Sequence, residues 1–214
     1  MGISFSKSEG KAKKGTDQYK YKEGENSVRI FGEIMPRYVY WLKSKDGKDI
    51  PVECLGFDRE KEKFTNIEKD WVQHYFPHLK CGWAYAVQAI DLSENKVVLL
   101  NLKKKLFEQI KLAAEDLGDP TDLDKGWPIV FKRVKTGNLA FNVEYTLQVL
   151  KCKNSAVTEE QRKLIEGAKH IDEVVPRNTS VEQKEFIEKK IMGESTTEEE
   201  VPTELQEEVE DIPL

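Results

Sequence analysis

The chain has 214 residues, enough for one domain with appendages and too many for a mini-protein. Its formal net charge of −5 hides a split: residues 194–214 hold nine Asp or Glu and no Lys or Arg, which leaves 34 basic against 30 acidic residues, a net +4, in residues 1–193. No apolar run approaches the roughly 20 residues of a membrane span, and three widely spaced cysteines (Cys54, Cys81, Cys152) do not make a disulfide framework.

Residues 1–23 are rich in Lys, Gly and Ser and read as a flexible basic arm. Met1-Gly2-Ile3-Ser4-Phe5-Ser6 has no apolar signal core, which points to the cytoplasm. Gly2 with Ser6 meets the formal myristoylation pattern and is read as coincidence. Residues 27–34 and 37–43 are β-branched and aromatic, and flank a turn at Met35-Pro36, so both are expected strands. Asp46-Gly47 signals a hairpin into residues 50–54. The charged residues 58–63 read as a loop. Residues 66–76 fit a short helix with Ile67, Trp71 and Phe76 on one face, ended by Pro77.

Residues 82–91 and 96–102 make another expected hairpin. The clearest helix is 102–117, with Leu102, Leu106, Ile110, Ala113 and Leu117 in one stripe, stopped at Gly118-Asp119-Pro120. Residues 127–134 and 139–150 form a last hairpin around Thr136-Gly137-Asn138. Helical pieces at 158–170 and 180–192 follow, separated by Pro176. The expected class is mainly β: an OB-fold-like Greek-key barrel with one main helix, C-terminal helices and a disordered acidic tail. An SH3-like barrel or an α+β sheet fits the same pattern nearly as well. The expected division is an arm (1–23), a binding domain (24–152), a helical extension (153–193) and the tail (194–214).

Aromatics interleave with cations on the strands. Arg37-Tyr38-Val39-Tyr40-Trp41-Leu42-Lys43 places Tyr38 and Tyr40 on one face and Val39, Trp41 and Lys43 on the other. Lys80 leads into Trp83 and Tyr85, which share a strand face. Phe131, Arg133 and Lys135 share another, with Lys132 opposite and Tyr145 on the partner strand. Lys103, Lys104 and Lys105 open the main helix, where the dipole disfavours cations, so an external anion would account for them. Single-stranded nucleic acid offers flat base faces and one charge per nucleotide, and stacking on an aromatic ring is worth about 1–3 kcal/mol per base. A ring on a strand belongs to the core more often than to a platform. Trp71, Phe107, Trp127 and Phe141 read as core; Tyr38, Tyr40, Trp83, Tyr85 and Tyr145 are the platform candidates.

Cys54, His74, His78 and Cys81 are two His and two Cys, a set that suits tetrahedral zinc. Pro77 breaks the helix that would align the two His, and there is no Cys-x-x-Cys pair, so no metal or other cofactor is assigned. No Walker loop, Gly-x-Gly-x-x-Gly or Gly-x-Ser-x-Gly occurs, and the chain reads as non-enzymatic.

The tail closes on Glu210-Asp211-Ile212-Pro213-Leu214. A solvating tail needs no apolar tip, whereas a tail that docks into a pocket does. This tip resembles the Asp-Asp-Ile-Pro-Phe ending of bacterial single-stranded DNA-binding proteins, with Glu210 for the first Asp and Leu214 for Phe. The body resembles the helix-destabilising proteins of T-even phages over about residues 24–150. The likeness rests on Asn26-Ser27-Val28-Arg29-Ile30, on His78-Leu79-Lys80-Cys81-Gly82-Trp83-Ala84, on residues 98–110 with their Lys cluster, and on residues 126–134. These resemblances imply an OB-fold that binds single-stranded DNA without sequence preference. They also imply a basic arm for cooperativity, matched by Lys11-Ala12-Lys13-Lys14-Gly15-Thr16, and a tip that docks replication or recombination proteins. An RNA-binding module, or a protein-interaction adaptor acting through its tail, are the alternatives.

Overall fold

The computed structural model describes residues 16–139 and 142–193. Residues 1–15, Phe141 and the whole acidic tail, including Glu210, Asp211, Ile212, Pro213 and Leu214, lie outside the described residues, and so does what was expected of them.

The chain opens with β1 (Gly24–Met35), β2 (Tyr38–Lys43), β3 (Asp49–Glu53), β4 (Phe57–Asp58) and β5 (Lys63–Phe64), then α1 (Trp71–Tyr75). Next come β6 (Gly82–Trp83), β7 (Ala86–Asp91), β8 (Lys96–Asn101), α2 (Lys104–Leu117), β9 (Ile129–Lys135) and β10 (Val143–Leu147). It ends with α3 (Glu159–Glu166), α4 (Ile171–Val174) and α5 (Ser180–Phe186), which runs into a π-helical turn, Ile187–Met192. The class is mixed and strand-rich, with antiparallel sheets.

Five strands form the main sheet, in the order β10-β9-β1-β7-β8. Central β1 is buried on both faces from Val28 to Phe31, as a strand covered on both sides must be. Val28 and Ile30 join Val87, Ala89, Val98, Leu100, Ile129 and Phe131 in one core, against the Leu106, Ile110 and Ala113 stripe of α2. The stripe expected from the period of 3.6 is the buried face of that helix. Trp127 is fully buried there, and its Nε1–H donates to the Gly118 carbonyl at 2.9 Å, which ties the helix end to the chain leading into β9.

The register of β1 against β7 shifts between Phe31 and Ile34. Gly32, at φ 68°, supplies the left-handed backbone of this bulge. The strand bends there and leads into a second sheet of order β3-β2-β6. Tyr40, Leu42, Val52, Cys54, Phe57 and Val72 make its core, and Ile187 comes from far along the chain to complete it. The Gln183 side chain, 1% exposed, seals the junction: its Oε1 accepts from Trp71 N at 2.7 Å and its Nε2 donates to the Glu53 carbonyl at 2.8 Å. Glu53 is also clamped by Arg59 and Arg177.

Two local expectations change. The helix expected over 66–76 begins only at Trp71, because the Asp70 carboxylate caps it by accepting from Gln73 N at 3.1 Å; Ile67 stays outside it and is exposed. The single strand expected over 82–91 is two: β6 belongs to the second sheet and β7 to the first.

Strand pairing does not close a barrel among the described residues. β8 and β10 remain the two edges of the main sheet. Gln109 of α2 meets the β10 edge, accepting from Leu147 N at 2.7 Å and donating to the Tyr145 carbonyl at 3.0 Å. Residues 17–19, within the stretch read above as a flexible arm, lie along the β8 edge. Leu99 N donates to the Asp17 carbonyl at 2.8 Å, and Tyr19 N donates to the Leu99 carbonyl at 2.9 Å. A helix side chain and an N-terminal strap thus cover edges that a barrel would pair.

Candidate nucleic-acid interface

The break between β6 and β7 builds the centre of the site. Trp83 pairs with Tyr38 in the second sheet, while Tyr85 lies just before β7. Their rings stack at 4.5 Å and 15°, and Phe107 of α2 sits at 5.8 Å from Trp83 and 6.1 Å from Tyr85. On the other side Tyr38 lies 6.5 Å from Tyr85 and 4.9 Å from Phe64, and Phe64 is 51% exposed. The result is a run of rings, Phe64, Tyr38, Tyr85, Trp83 and Phe107, which crosses from one sheet to the other.

A second ring group lies past the start of α2. Tyr21, on the N-terminal strap, meets Tyr145 at 5.2 Å, Phe131 at 5.7 Å and Tyr19 at 5.3 Å. Asn101 joins the two groups: its carbonyl accepts from Tyr21 Oη at 2.7 Å, and its Oδ1 accepts from Arg37 Nη2 at 3.1 Å. The Lys103 ammonium stands 5.2 Å over the Tyr21 ring, and the Lys111 ammonium 6.0 Å over Phe107. Lys111 is four residues from Phe107, so the helix itself makes that pair.

Burial shapes the ionisation of the site. The Tyr85 hydroxyl is pushed up to about 12, first by burial and then by the Glu62 carboxylate. Burial drives the Tyr21 hydroxyl far above its usual range. Lys103 is exposed as a residue, yet partial burial of its ammonium, followed by the Arg133 charge, makes it give up its proton more readily than a free lysine. It makes no ion pair among the described residues. The start of α2 has no side-chain cap and no acid in its first turn, so Lys104 and Lys105 stand exposed beside uncapped N–H groups.

Several predicted residues take other places. Tyr40 is core, with its hydroxyl 3.4 Å from Cys54 Sγ, because the Tyr38/Tyr40 face of β2 points inward. Phe131 is wholly buried, and Tyr85, read as a platform, is buried too, because both pack into the core of the main sheet. Arg37 is a strut: its Nε donates to the Ala84 carbonyl at 2.9 Å, and burial works against its charge. Trp41 is 59% exposed on the outer face of β2 with Lys43, and makes no ring contact among the described residues. Lys80 and Lys132 are exposed; Arg133 and Lys135 meet Glu23; Tyr145 is half-buried against Tyr21.

Sequence reasoning missed Tyr21, Phe64, Lys111 and the role of Phe107, which it assigned to the core. The alternation Tyr19-Lys20-Tyr21-Lys22 was the available signal for a packed strap. Trp71, also assigned to the core, is half-buried, with the Lys69 ammonium 3.6 Å from its ring centre and Lys184 at 5.1 Å. Cys54, His74, His78 and Cys81 do not converge. Burial raises the Cys54 thiol, and His74 packs edge-on against Trp71 at 5.2 Å. Among the described residues no group of three or more His, Cys, Asp or Glu could hold a metal ion. Nor is any described helix long and apolar enough to cross a membrane.

No protein-family model matches the chain. The chain is similar to the protein described as "Probable ssDNA-binding protein" of Escherichia phage T5, with 31% identity over 160 residues, covering 69% of this chain and 60% of that protein. It thus spans less than two thirds of the relative's length. The similarity is to a phage protein, as the resemblance of the body implied, though T5 is not a T-even phage.

Proposed function

We propose that this protein binds single-stranded DNA without sequence preference, as a binding and not a catalytic protein. The observation that carries this reading is the run of rings from Phe64 to Phe107, flanked by Lys103, Lys104 and Lys111. Rings offer every base a stacking surface, and the cations follow the backbone, so neither reads sequence. Trp83, Phe107 and Phe64 are the stacking surfaces in this reading, and the buried Tyr85 ring backs Trp83 from the core. Lys103, Lys104, Lys105, Lys111, Arg133 and Lys135 take phosphates. The similarity to the T5 protein supports the same class of ligand.

The fold supports it too. Counting only the main sheet, β1, β7, β8, β9 and β10 are strands one to five, in the order 5-4-1-2-3, with α2 between the third and fourth. That is the connectivity of an OB-fold whose last pairing is replaced by the strap and Gln109, with β2 to β6 inserted between its first two strands. Residues 24–152 then hold the binding domain, and 153–193 are an extension that props the insert. The acidic tail, rich in carboxylates beside a basic body, competes for the binding surface until DNA displaces it, and its apolar tip recruits replication, recombination or repair proteins in the host-cell cytoplasm.

Titration of tryptophan fluorescence with oligo-dT over a salt series tests this. Quenching is expected, with affinity falling as salt rises, because bound cations release counterions from the strand. A flat titration, or equal affinity for duplex and single strand at moderate salt, overturns it.

A further inference from the structure

Glu23 is an acid lying on a basic part of this surface. Gly24, at φ 84°, turns the chain between the strap and β1. Glu23 thereby falls just past the last β1–β9 pair, Gly24 with Arg133. Its Oε2 accepts from Arg133 Nη1 at 2.7 Å, and its Oε1 accepts from the Lys135 main-chain N–H at 3.0 Å. Two oxygens of one anion are held between a guanidinium and a backbone donor, an arrangement that also suits the two free oxygens of a phosphodiester.

The surroundings hold more positive charge than Glu23 can neutralise. The Lys103 ammonium stands 5.2 Å over the ring of Tyr21, two residues before Glu23, and the Arg133 charge works against its own. Arg133 Nε is buried with no hydrogen-bond partner among the described residues, so the guanidinium is only partly satisfied by Glu23. The Glu23 side chain is 59% exposed, which leaves the pair open to an incoming anion and cheap to break.

We infer that Arg133, the Lys135 main-chain N–H and Lys103 form a phosphodiester subsite, which the Glu23 carboxylate occupies in the free protein and vacates when a single strand binds. This rests on the reading of the protein as a single-stranded DNA binder. Glu23 is then an internal competitor. An isolated anion must displace it with one contact, whereas an extended strand brings stacking on the ring run as well. The competition favours long strands over scattered anions.

The test is a double-mutant cycle on the full chain, with Glu23→Gln, Arg133→Ala and both together, and oligo-dT binding read by fluorescence anisotropy over a sodium chloride series. Glu23→Gln keeps an acceptor for Lys135 N–H and removes only the charge, and thermal melting verifies that each variant is folded. Glu23→Gln is expected to tighten binding about two- to fivefold at low salt, the worth of an exposed ion pair. The slope of log affinity against log salt should steepen by up to about 0.7, one phosphate on a single strand. In the Arg133→Ala background the same change should give no gain. An equal gain in that background, or no gain in the wild-type background, overturns the subsite. If the unaltered protein ignores oligo-dT, the parent reading falls and the subsite with it; if it binds and Glu23→Gln changes nothing, only the subsite falls.

Discussion

Trp83 and Tyr85 stack at 4.5 Å although Trp83 ends β6 of the second sheet and Tyr85 leads into β7 of the first. Ala84 lies between them, and its N–H donates to the Arg37 carbonyl at 3.0 Å while its carbonyl accepts from Arg37 Nε. Arg37 therefore pins the chain where it crosses from β6 to β7, and the crossing holds the two rings together. A ring pair set on a rigid junction loses little freedom when a base adds to the stack.

Trp83→Ala should remove that stacking surface. The loss expected for oligo-dT is about 1–3 kcal/mol, roughly 5- to 150-fold, with most of the fluorescence quenching gone. Trp41→Ala, on the outer face, should change affinity little. Anisotropy titrations of the two variants side by side decide the matter: equal losses would remove the ring run from the interface.

Gln109→Ala should destabilise the fold. The side chain is shared between Leu147 N and the Tyr145 carbonyl. Its loss leaves two main-chain groups at the β10 edge without their partners, at about 2 kcal/mol. For a chain of this size that lowers the melting temperature by roughly 4–8 °C. An unchanged melting temperature would mean that water or the strand itself replaces the helix side chain.

Alkali should weaken the anchoring of the strap. The Tyr19 hydroxyl donates to Asn26 Oδ1 at 2.9 Å and is pushed up to about 12 by burial, then by Asp91 and Glu94. An unfolded tyrosine titrates near 10. Between these values the folded protein keeps a proton that the unfolded chain has lost, so this contribution is whole below about pH 10 and gone above about pH 12. Urea unfolding at pH 9, 10 and 11 should show a shallower decline in Tyr19→Phe than in the unaltered protein. Parallel declines would assign the effect to the other buried tyrosines.

Removal of Ile212, Pro213 and Leu214, with the acids kept, should abolish capture of partner proteins and spare oligo-dT binding. Deletion of residues 194–214 should leave DNA binding intact or tighter. Weaker binding after that deletion would contradict competition by the tail, and unchanged partner capture after the shorter one would return the tip to a solubility role.

The elements themselves were largely legible. Periodicity located α2 and its buried stripe, and turn chemistry located the hairpins at Gly47 and Gly137, because both are local properties of the chain. Which face of a strand meets water is not local. β2 alternates in the same way whichever side is covered, and its Tyr38/Tyr40 face turned inward because Val72 and Ile187 pack there. The same pattern that made Tyr40 a platform candidate made it core.

Phe107 went the other way. It was read as core, yet it is half-buried, because β6 of the second sheet brings the Trp83 ring to 5.8 Å from it. Glu23 carried no signal at all: only the turn at Gly24 brings it against Arg133, 110 positions away. Charge sums and periodicity depend on composition and spacing along the chain, so the basic body, the acidic tail and the ring-rich strands were already present in the sequence. The joining of the rings into one run, and the acid laid over its cations, depend on contacts between segments distant in sequence. Those contacts are set only when burial of the whole core has chosen one face for each strand.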